Sequence, residues 1–308
     1  MNPKQWVDIY RPKEMTDIIS HEHILKILNN MVKNNCLTHL LFNGERGTGK
    51  SSSISALINN MYGKQQNIMT LKLNASNHRG IEVVRKEIKS FVTTRMMFSN
   101  KPKLVILDEA DAMTMDAQLA LRRIMDKYSN NAKFCIICNY IRKIHPSLIS
   151  RCTLFRFKTL NNDAMKQRLL YIMEKEELKI TDDTLTKLIE MSNHDMRHAI
   201  FMLQALSFEK YKTKEQLCTI FKYPTDTQEQ ECIDIMKLSL EDRIEKMVQW
   251  VDDYGYHLSV LIKIYFNHFL EKKEFTKITK LAQLECQLNG EYSSKLQVYS
   301  LMAILESI

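Results

Sequence analysis

The segment Gly44-Glu45-Arg46-Gly47-Thr48-Gly49-Lys50-Ser51 constrains this chain more than any other stretch. It satisfies every fixed position of the phosphate-binding loop G-x-x-x-x-G-K-S/T, and it sits between an apolar run and a helical pattern, as such a loop must. Glycines let the loop curl until several backbone N–H groups point inward at phosphate oxygens, and the positive end of the following helix adds to the attraction. In that setting Lys50 reaches the β- and γ-phosphates of a nucleoside triphosphate and Ser51 offers its hydroxyl to Mg²⁺. The chain has only seven glycines and five prolines in 308 residues. Three glycines within six positions therefore need a local cause, and a chain so poor in turn formers should be rich in helix.

Around this loop the pattern is that of an α/β domain. Thr38-His39-Leu40-Leu41-Phe42-Asn43 leads into it, Leu104-Val105-Ile106-Leu107 ends in Asp108-Glu109, and Phe134-Cys135-Ile136-Ile137-Cys138 ends in Asn139. Leu154-Phe155-Arg156-Phe157 is a further short run. Apolar runs of this length alternating with helical patterns predict a parallel sheet buried on both faces. Beyond residue 158 strand-like runs disappear. Helices are expected over 162–177, 182–191 and 195–206, then over 228–238, 240–254, 258–271, 275–290 and 293–308. The expectation is three domains: an α/β nucleotide-binding domain over 1–157, a small helical domain over 158–223 and an all-α domain over 224–308.

The second chemical motif is Asp108-Glu109-Ala110-Asp111. A carboxylate ending a buried strand beside the loop can hold Mg²⁺, which assigns that task to Asp108. Glu109 is then placed to polarise a water for attack on the γ-phosphate. Taken alone, the same acids would also serve to start the next helix. Asn139 ends the neighbouring apolar run, where a neutral polar group can orient that water or sense the γ-phosphate. Arg151 and Arg197 act on phosphate only if the fold or a neighbouring subunit brings them there; otherwise they are surface ion-pair partners. Cys135 and Cys138 are at odd spacing in a strand, face opposite sides and lack a second pair, so they read as buried thiols rather than a zinc site.

Composition removes other classes. No apolar run approaches the roughly 20 residues that span a bilayer, and the start lacks a secretory apolar region. Seven scattered cysteines suit reduced thiols in an intracellular protein. A net charge of +8 suits a polyanionic partner, although nucleotide binding or solubility accounts for it as well.

Several boxes together resemble those of the replication factor C small subunits, which are AAA+ clamp-loader ATPases. They are Trp6-Val7-Asp8-Ile9-Tyr10-Arg11-Pro12, Leu73-Asn74-Ala75-Ser76-Asn77-His78-Arg79-Gly80-Ile81, Leu107 to Thr114, Asp116 to Arg123, and Ser150-Arg151-Cys152. The resemblance covers about residues 5 to 200. It implies that Val7, Tyr10, Arg11 and Pro12 line an adenine pocket and that Gly44 to Ser52 (Gly44, Glu45, Arg46, Gly47, Thr48, Gly49, Lys50, Ser51 and Ser52) embrace ATP. It further implies that Asn139 and Arg197 are the two sensors, and that Arg151 is an arginine finger acting in trans on the adjacent subunit's nucleotide. The C-terminal helices would form the collar of a pentameric ring of subunits, which opens a PCNA-like sliding clamp and threads primer–template DNA through it. The sequence departs from the family with Glu45-Arg46 where a Pro-Pro pair is usual and with His194 where glycine is common.

Two contact surfaces are also expected. If 81–91 is helical, Ile81, Val84, Ile88 and Phe91 share an inward face. Arg85, Lys86 and Lys89 then project outward with Arg79 before them, as a basic stripe able to track a phosphate backbone. A solvated charged face is the plain alternative. Met96, Met97 and Phe98 could fill a pocket on the clamp or complete the local core. The rival functions are another AAA+ machine, such as a branch-migration motor, and a ring subunit with a silent nucleotide site. The expected location is intracellular: the nucleus of a eukaryotic cell, or a viral factory or host cytoplasm if the source is viral.

Overall fold

The structure, a computed structural model, describes residues 5–76, 82, 84–94, 101–256, 258–287 and 298–303. Five strands, β1 (Leu40–Gly44), β2 (Thr70–Asn74), β3 (Lys103–Asp108), β4 (Ala132–Cys138) and β5 (Thr153–Phe157), form one parallel sheet in the order β2-β3-β4-β1-β5. Helices α1 (Trp6–Ile9), α2 (Glu22–Lys33), α3 (Lys50–Tyr62), α4 (Gln66–Met69), α5 (Lys89–Thr93), α6 (Met115–Tyr128) and α7 (Pro146–Ile149) accompany it. Then follow α8 (Asn162–Lys175), α9 (Asp182–Met191), α10 (Met196–Ser207), α11 (Lys214–Ile220), α12 (Asp226–Ile235), α13 (Leu240–Tyr254), α14 (Leu258–Glu271) and α15 (Phe275–Gln287).

The central strands β3, β4 and β1 are largely apolar because both faces of the sheet are covered there. On one face Leu41, Val105, Phe134, Ile136 and Cys138 pack with Leu121 and Met125 of α6. On the other, Leu40, Phe42, Ile106, Cys135 and Ile137 pack with Ile54, Leu57 and Ile58 of α3. Cys135 and Cys138 thus bury into opposite faces, as their odd spacing requires.

Register brings the chemistry to one end of the sheet. Asn43 lies opposite Cys138, Leu107 opposite Ile136, and Asn74 opposite Asp108. The loop after β1, the acids ending β3 and Asn139 after β4 consequently emerge together at the carboxyl ends of adjacent strands, where ligands bind in open parallel sheets.

Several helix starts are closed by a side-chain cap. Thr114, Asn161, Asp195, Thr213, Thr225 and Ser239 each accept a backbone N–H with the side chain. The chain divides into two compact units, residues 1–179 with 185–208, and 180–184 with 209–308. The second unit has its own core, in which Cys232, Met247, Leu261, Tyr265, Phe269, Leu281 and Leu301 are buried. Among the described residues no helix is long and apolar enough to cross a membrane.

Candidate nucleotide site

The phosphate-binding loop folds as its glycines demand. Gly47 and Gly49 adopt φ of +70° and +95°, conformations that cost other residues about 1 kcal/mol or more. Gly44 is needed for space rather than for conformation: a Cβ there would lie 2.3 Å from the carbonyl oxygen of Phe157 on β5. Thr48 donates its hydroxyl to the Glu45 carbonyl at 2.8 Å and tightens the loop from within.

Lys50 opens α3 and is buried. Its ammonium donates to the carbonyls of Gly44 (2.8 Å) and Glu45 (2.6 Å) and to Oδ1 of Asn139 (3.0 Å). Burial pushes its pKa down, and the nearby Asp108 carboxylate works against that shift. Ser51 donates its hydroxyl to Oδ2 of Asp108 at 3.0 Å, while Oδ1 of Asp108 accepts the N–H of Glu109 at 3.0 Å. A hydroxyl and a carboxylate side by side form an oxygen donor pair that suits Mg²⁺, which takes one or two protein ligands and completes its shell with phosphate and water. Glu109 itself has φ of +53°, in the left-handed region. Such strain persists where surrounding structure enforces it, and it gathers at working sites. Asn43 donates to the Asn139 carbonyl at 3.0 Å and so fixes the turn that presents the Asn139 side chain.

These groups line a cleft of about 710 Å³. Of the residues expected from sequence, Val7, Tyr10, Arg11, Pro12, Arg46, Gly47, Thr48, Gly49, Lys50, Ser51, Ser52, Asp108, Glu109, Asn139 and Arg197 all border it. Gly44 and Glu45 serve it through the carbonyls that hold Lys50. Asp195 caps α10 by accepting the N–H groups of Arg197 (2.8 Å) and His198 (3.3 Å). It also abuts the loop, since a Cβ on Gly47 would come within 2.0 Å of its Oδ1. The start of α10 is thereby set against the loop, which brings Arg197 to the cleft. His194 adopts φ of +61° just before it, a left-handed conformation that glycine takes without steric cost.

Other lining residues were given no role by sequence. Ile18, Ile19, Leu160, Ala164, Met196 and Ile200 supply apolar surface, Asn74 reaches in from β2, and Arg168 reaches in from α8. Only the apolar positions of α8 and α10 carry a sequence signal, and that signal reads as ordinary core. His21 contacts the loop through Nε2, 3.3 Å from the Thr48 carbonyl, and burial pushes its pKa down.

Arg151 lies apart from this cleft. It is bound to Asp126 of α6, with Nε 2.6 Å from the carboxylate. Val84–Ile88 forms a π-helical turn leading into α5, a departure from the uniform α-helix expected over 81–91. Ile88 and Val92 are buried and Phe91 is partly buried. Lys86 and Lys89 are exposed, and Lys86 lies 3.7 Å from Glu82 in an ion pair whose members are both about 80% exposed. Arg79, Met96, Met97 and Phe98, together with the side chain of Arg85, lie outside the described residues.

A five-stranded parallel sheet with this loop, this acidic strand end and a helical segment bearing an arginine at the cleft defines a P-loop ATPase of the AAA+ class. Residues 40–160 match the model of the ATPase family associated with various cellular activities, and residues 162–215 match that of the RFC1-like AAA+ ATPase lid domain. Replication factor C subunit 5 of Mus musculus is 38% identical over 312 residues, covering 98% of this chain and 91% of that protein. Replication factor C subunit 3 of Blastobotrys adeninivorans is 48% identical over 204 residues, 66% of this chain and 60% of that one. The chain belongs to the replication factor C small-subunit family of clamp-loader AAA+ ATPases. The RuvB Holliday junction branch migration motor of Thermotoga maritima shares the fold, with a TM-score of 0.56 at 13% identity over 85% of this chain and 91% of that one.

Proposed function

We propose that this chain binds Mg²⁺-ATP in the cleft and hydrolyses it as one small subunit of a pentameric clamp loader, which opens a PCNA-like ring and sets it on primer–template DNA. The observation that carries the reading is the convergence of Lys50, Asn139, Ser51 and Asp108 through bonds of 3.0 Å at one end of the sheet. In it, Lys50 neutralises the β- and γ-phosphates, Ser51 and Asp108 hold the metal, and Glu109 polarises the attacking water. Asn139 and Arg197 register the γ-phosphate, and Arg151 completes the site of an adjoining subunit. Val7, Tyr10, Arg11 and Pro12 face the base. Mg²⁺ supplies charge neutralisation and alignment of the phosphates.

Three functional parts follow: a nucleotide domain over 1–157, a lid over 158–223 and a collar over 224–308. Exposure of Lys86 and Lys89 supports a DNA-facing stripe that tracks phosphates without reading bases. The reading includes Arg79 and Arg85 in that stripe and Met96, Met97 and Phe98 in clamp contact. Kinship with eukaryotic replication factors supports a nuclear location.

The experiment pairs two substitutions. Lys50→Ala should abolish ATP binding by the isolated chain. Glu109→Gln should leave binding intact and stop turnover in the assembled complex. Undiminished ATPase from a complex carrying Glu109→Gln in every active subunit would overturn the role given to that residue.

A further inference from the structure

The segment that supplies Val7, Tyr10, Arg11 and Pro12 is fastened at its two ends to different parts of the fold. Its first half is held by α8, the residue that follows it, and α10. The N–H of Trp6 donates to Oε1 of Gln204 at 3.0 Å, and Trp6 is buried. Nη2 of Arg168 donates to the Tyr10 carbonyl at 2.6 Å, and the Tyr10 hydroxyl donates to Oε1 of Glu176. The Tyr10 ring meets Tyr171 edge-on with centroids 6.4 Å apart, and the Arg168 guanidinium lies 5.2 Å over the same Tyr171 ring. Burial, and then the Glu176 bond, push the Tyr10 phenol up to about 12, so that bond keeps its proton at neutral pH.

The second half is held elsewhere. Nδ2 of Asn59 on α3 donates to the Lys13 carbonyl at 2.9 Å, and Asp17 accepts the N–H groups of Lys13 and Glu14 at 3.0 Å each. Arg11 and Pro12 bridge the two halves, and both border the cleft, as does Arg168.

We propose that Arg168 and Glu176 are positioning residues for the base-side wall of the nucleotide cleft: they tie residues 6–10 to the helical lid, while α3 ties residues 13–17 to the phosphate loop, so a bound base spans the joint at Arg11-Pro12. The proposal rests on the reading of Val7, Tyr10, Arg11 and Pro12 as base-facing. It assigns α8 a share in ATP affinity that no motif announces, exercised through the Tyr10 main chain. A hydrogen bond from a charged donor to a part-buried carbonyl is strong enough for its loss to matter.

The test compares Mg²⁺-ATP with inorganic tripolyphosphate, which has the phosphates and no base. Calorimetry on the full chain should find ATP weakened about tenfold by Arg168→Ala, with tripolyphosphate binding unchanged. In the assembled complex the same substitution should raise KM and leave kcat alone. Arg168→Lys, which still presents a donor to one carbonyl, should recover most of the loss, and Glu176→Gln, which still accepts from Tyr10, should lose less. Equal weakening of both ligands, or no weakening of ATP, overturns the proposal. Val7→Trp, which obstructs the base side, separates the two readings. If it abolishes the advantage of ATP over tripolyphosphate while Arg168→Ala preserves it, the positioning role alone fails. If Val7→Trp leaves that advantage intact, the base-facing assignment fails and takes the positioning role with it.

Discussion

Arg151 grips both oxygens of Asp126: Nε donates to Oδ1 at 2.6 Å and Nη2 to Oδ2 at 3.1 Å. Its remaining nitrogen, Nη1, donates to the Ser147 carbonyl at 2.9 Å. Arg122, one turn before Asp126 on α6, lies 3.7 Å from the same carboxylate. The Arg151 bond is the first cause holding the Asp126 carboxyl below its ordinary range. A two-point grip fixes the plane of the guanidinium as well as its position.

That grip leads to the first prediction. A finger acting on an adjoining subunit's phosphate must leave Asp126 to do so, exchanging a partly exposed two-point ion pair for the phosphate. Arg151→Ala should lower ATP turnover of the assembled complex by about a hundredfold or more, the scale on which such arginines act. Asp126→Asn, which frees the guanidinium without removing it, should change turnover less than about fivefold. Steady-state ATPase of complexes carrying each substitution checks this. Equal losses would mean that the pair, and not the arginine alone, is the working unit.

The second prediction concerns crowding at the loop. A Cβ on Gly47 meets Asp195, the cap of α10, and must adopt φ of +70°; on Gly49, at φ of +95°, it meets nothing within 4 Å. Gly49→Ala should therefore incur only the conformational cost of about 1 kcal/mol. Gly47→Ala should add loss of the cap, about 1 kcal/mol more, and draw Arg197 from the cleft. Melting temperatures and ATP titrations of both variants test the ordering. The cost of Gly47→Ala should shrink when Asp195→Ala is already present, and strict additivity would show that the two residues do not interact.

These contacts also mark where sequence pattern stops being informative. β1, β3, β4 and β5 were legible because most are unbroken apolar runs, as strands covered on both faces must be. β2 was not: Thr70-Leu71-Lys72-Leu73-Asn74 lies at the sheet edge, only Leu73 is buried, and its alternation is too short to stand out. α11, seven residues behind its Thr213 cap, is likewise too brief to show a helical period. The π turn at Val84–Ile88 departs from a 3.6-residue period, which therefore cannot announce it. Within the site, residues at fixed spacing from a motif were readable. Arg168 reaches the cleft through tertiary placement alone, Asn74 sits in a recognised box that gives it no role at the cleft, and the Asp126 partner of Arg151 is 25 residues away in sequence.

Packing under the loop supplies the third prediction. Phe42 on β1 is fully buried, with the Phe155 and Phe157 rings at centroid distances of 5.8 and 5.0 Å. Phe42→Ala should cost about 3–5 kcal/mol, the sum of lost transfer energy and the cavity left behind. Because Gly44 rests on the Phe157 backbone, a β5 loosened in this way should also weaken ATP binding. Phe42→Leu should cost less than half as much. Denaturant midpoints measured beside ATP affinities decide whether the two losses travel together.

The last prediction is a pH dependence seated away from the cleft. Nδ1 of His39 accepts the N–H of Phe134 at 3.2 Å, so that nitrogen must be unprotonated in the native protein. Burial first, and then the charge of Lys133, push the His39 pKa down to about 4 from its ordinary 6.5. Between those values the unfolded chain binds a proton that the folded chain refuses. Unfolding then takes up a proton, and stability falls as pH drops from about 6.5 toward 4, with none of this cost above 6.5. His39→Asn places a non-titrating acceptor near the same N–H. It should flatten the fall in urea midpoint between pH 7 and pH 5 relative to wild type, with little change at pH 7. A slope unaltered by the substitution would show that other groups set the acid limit, since the proton refused by the native state would then not be the one excluded from His39.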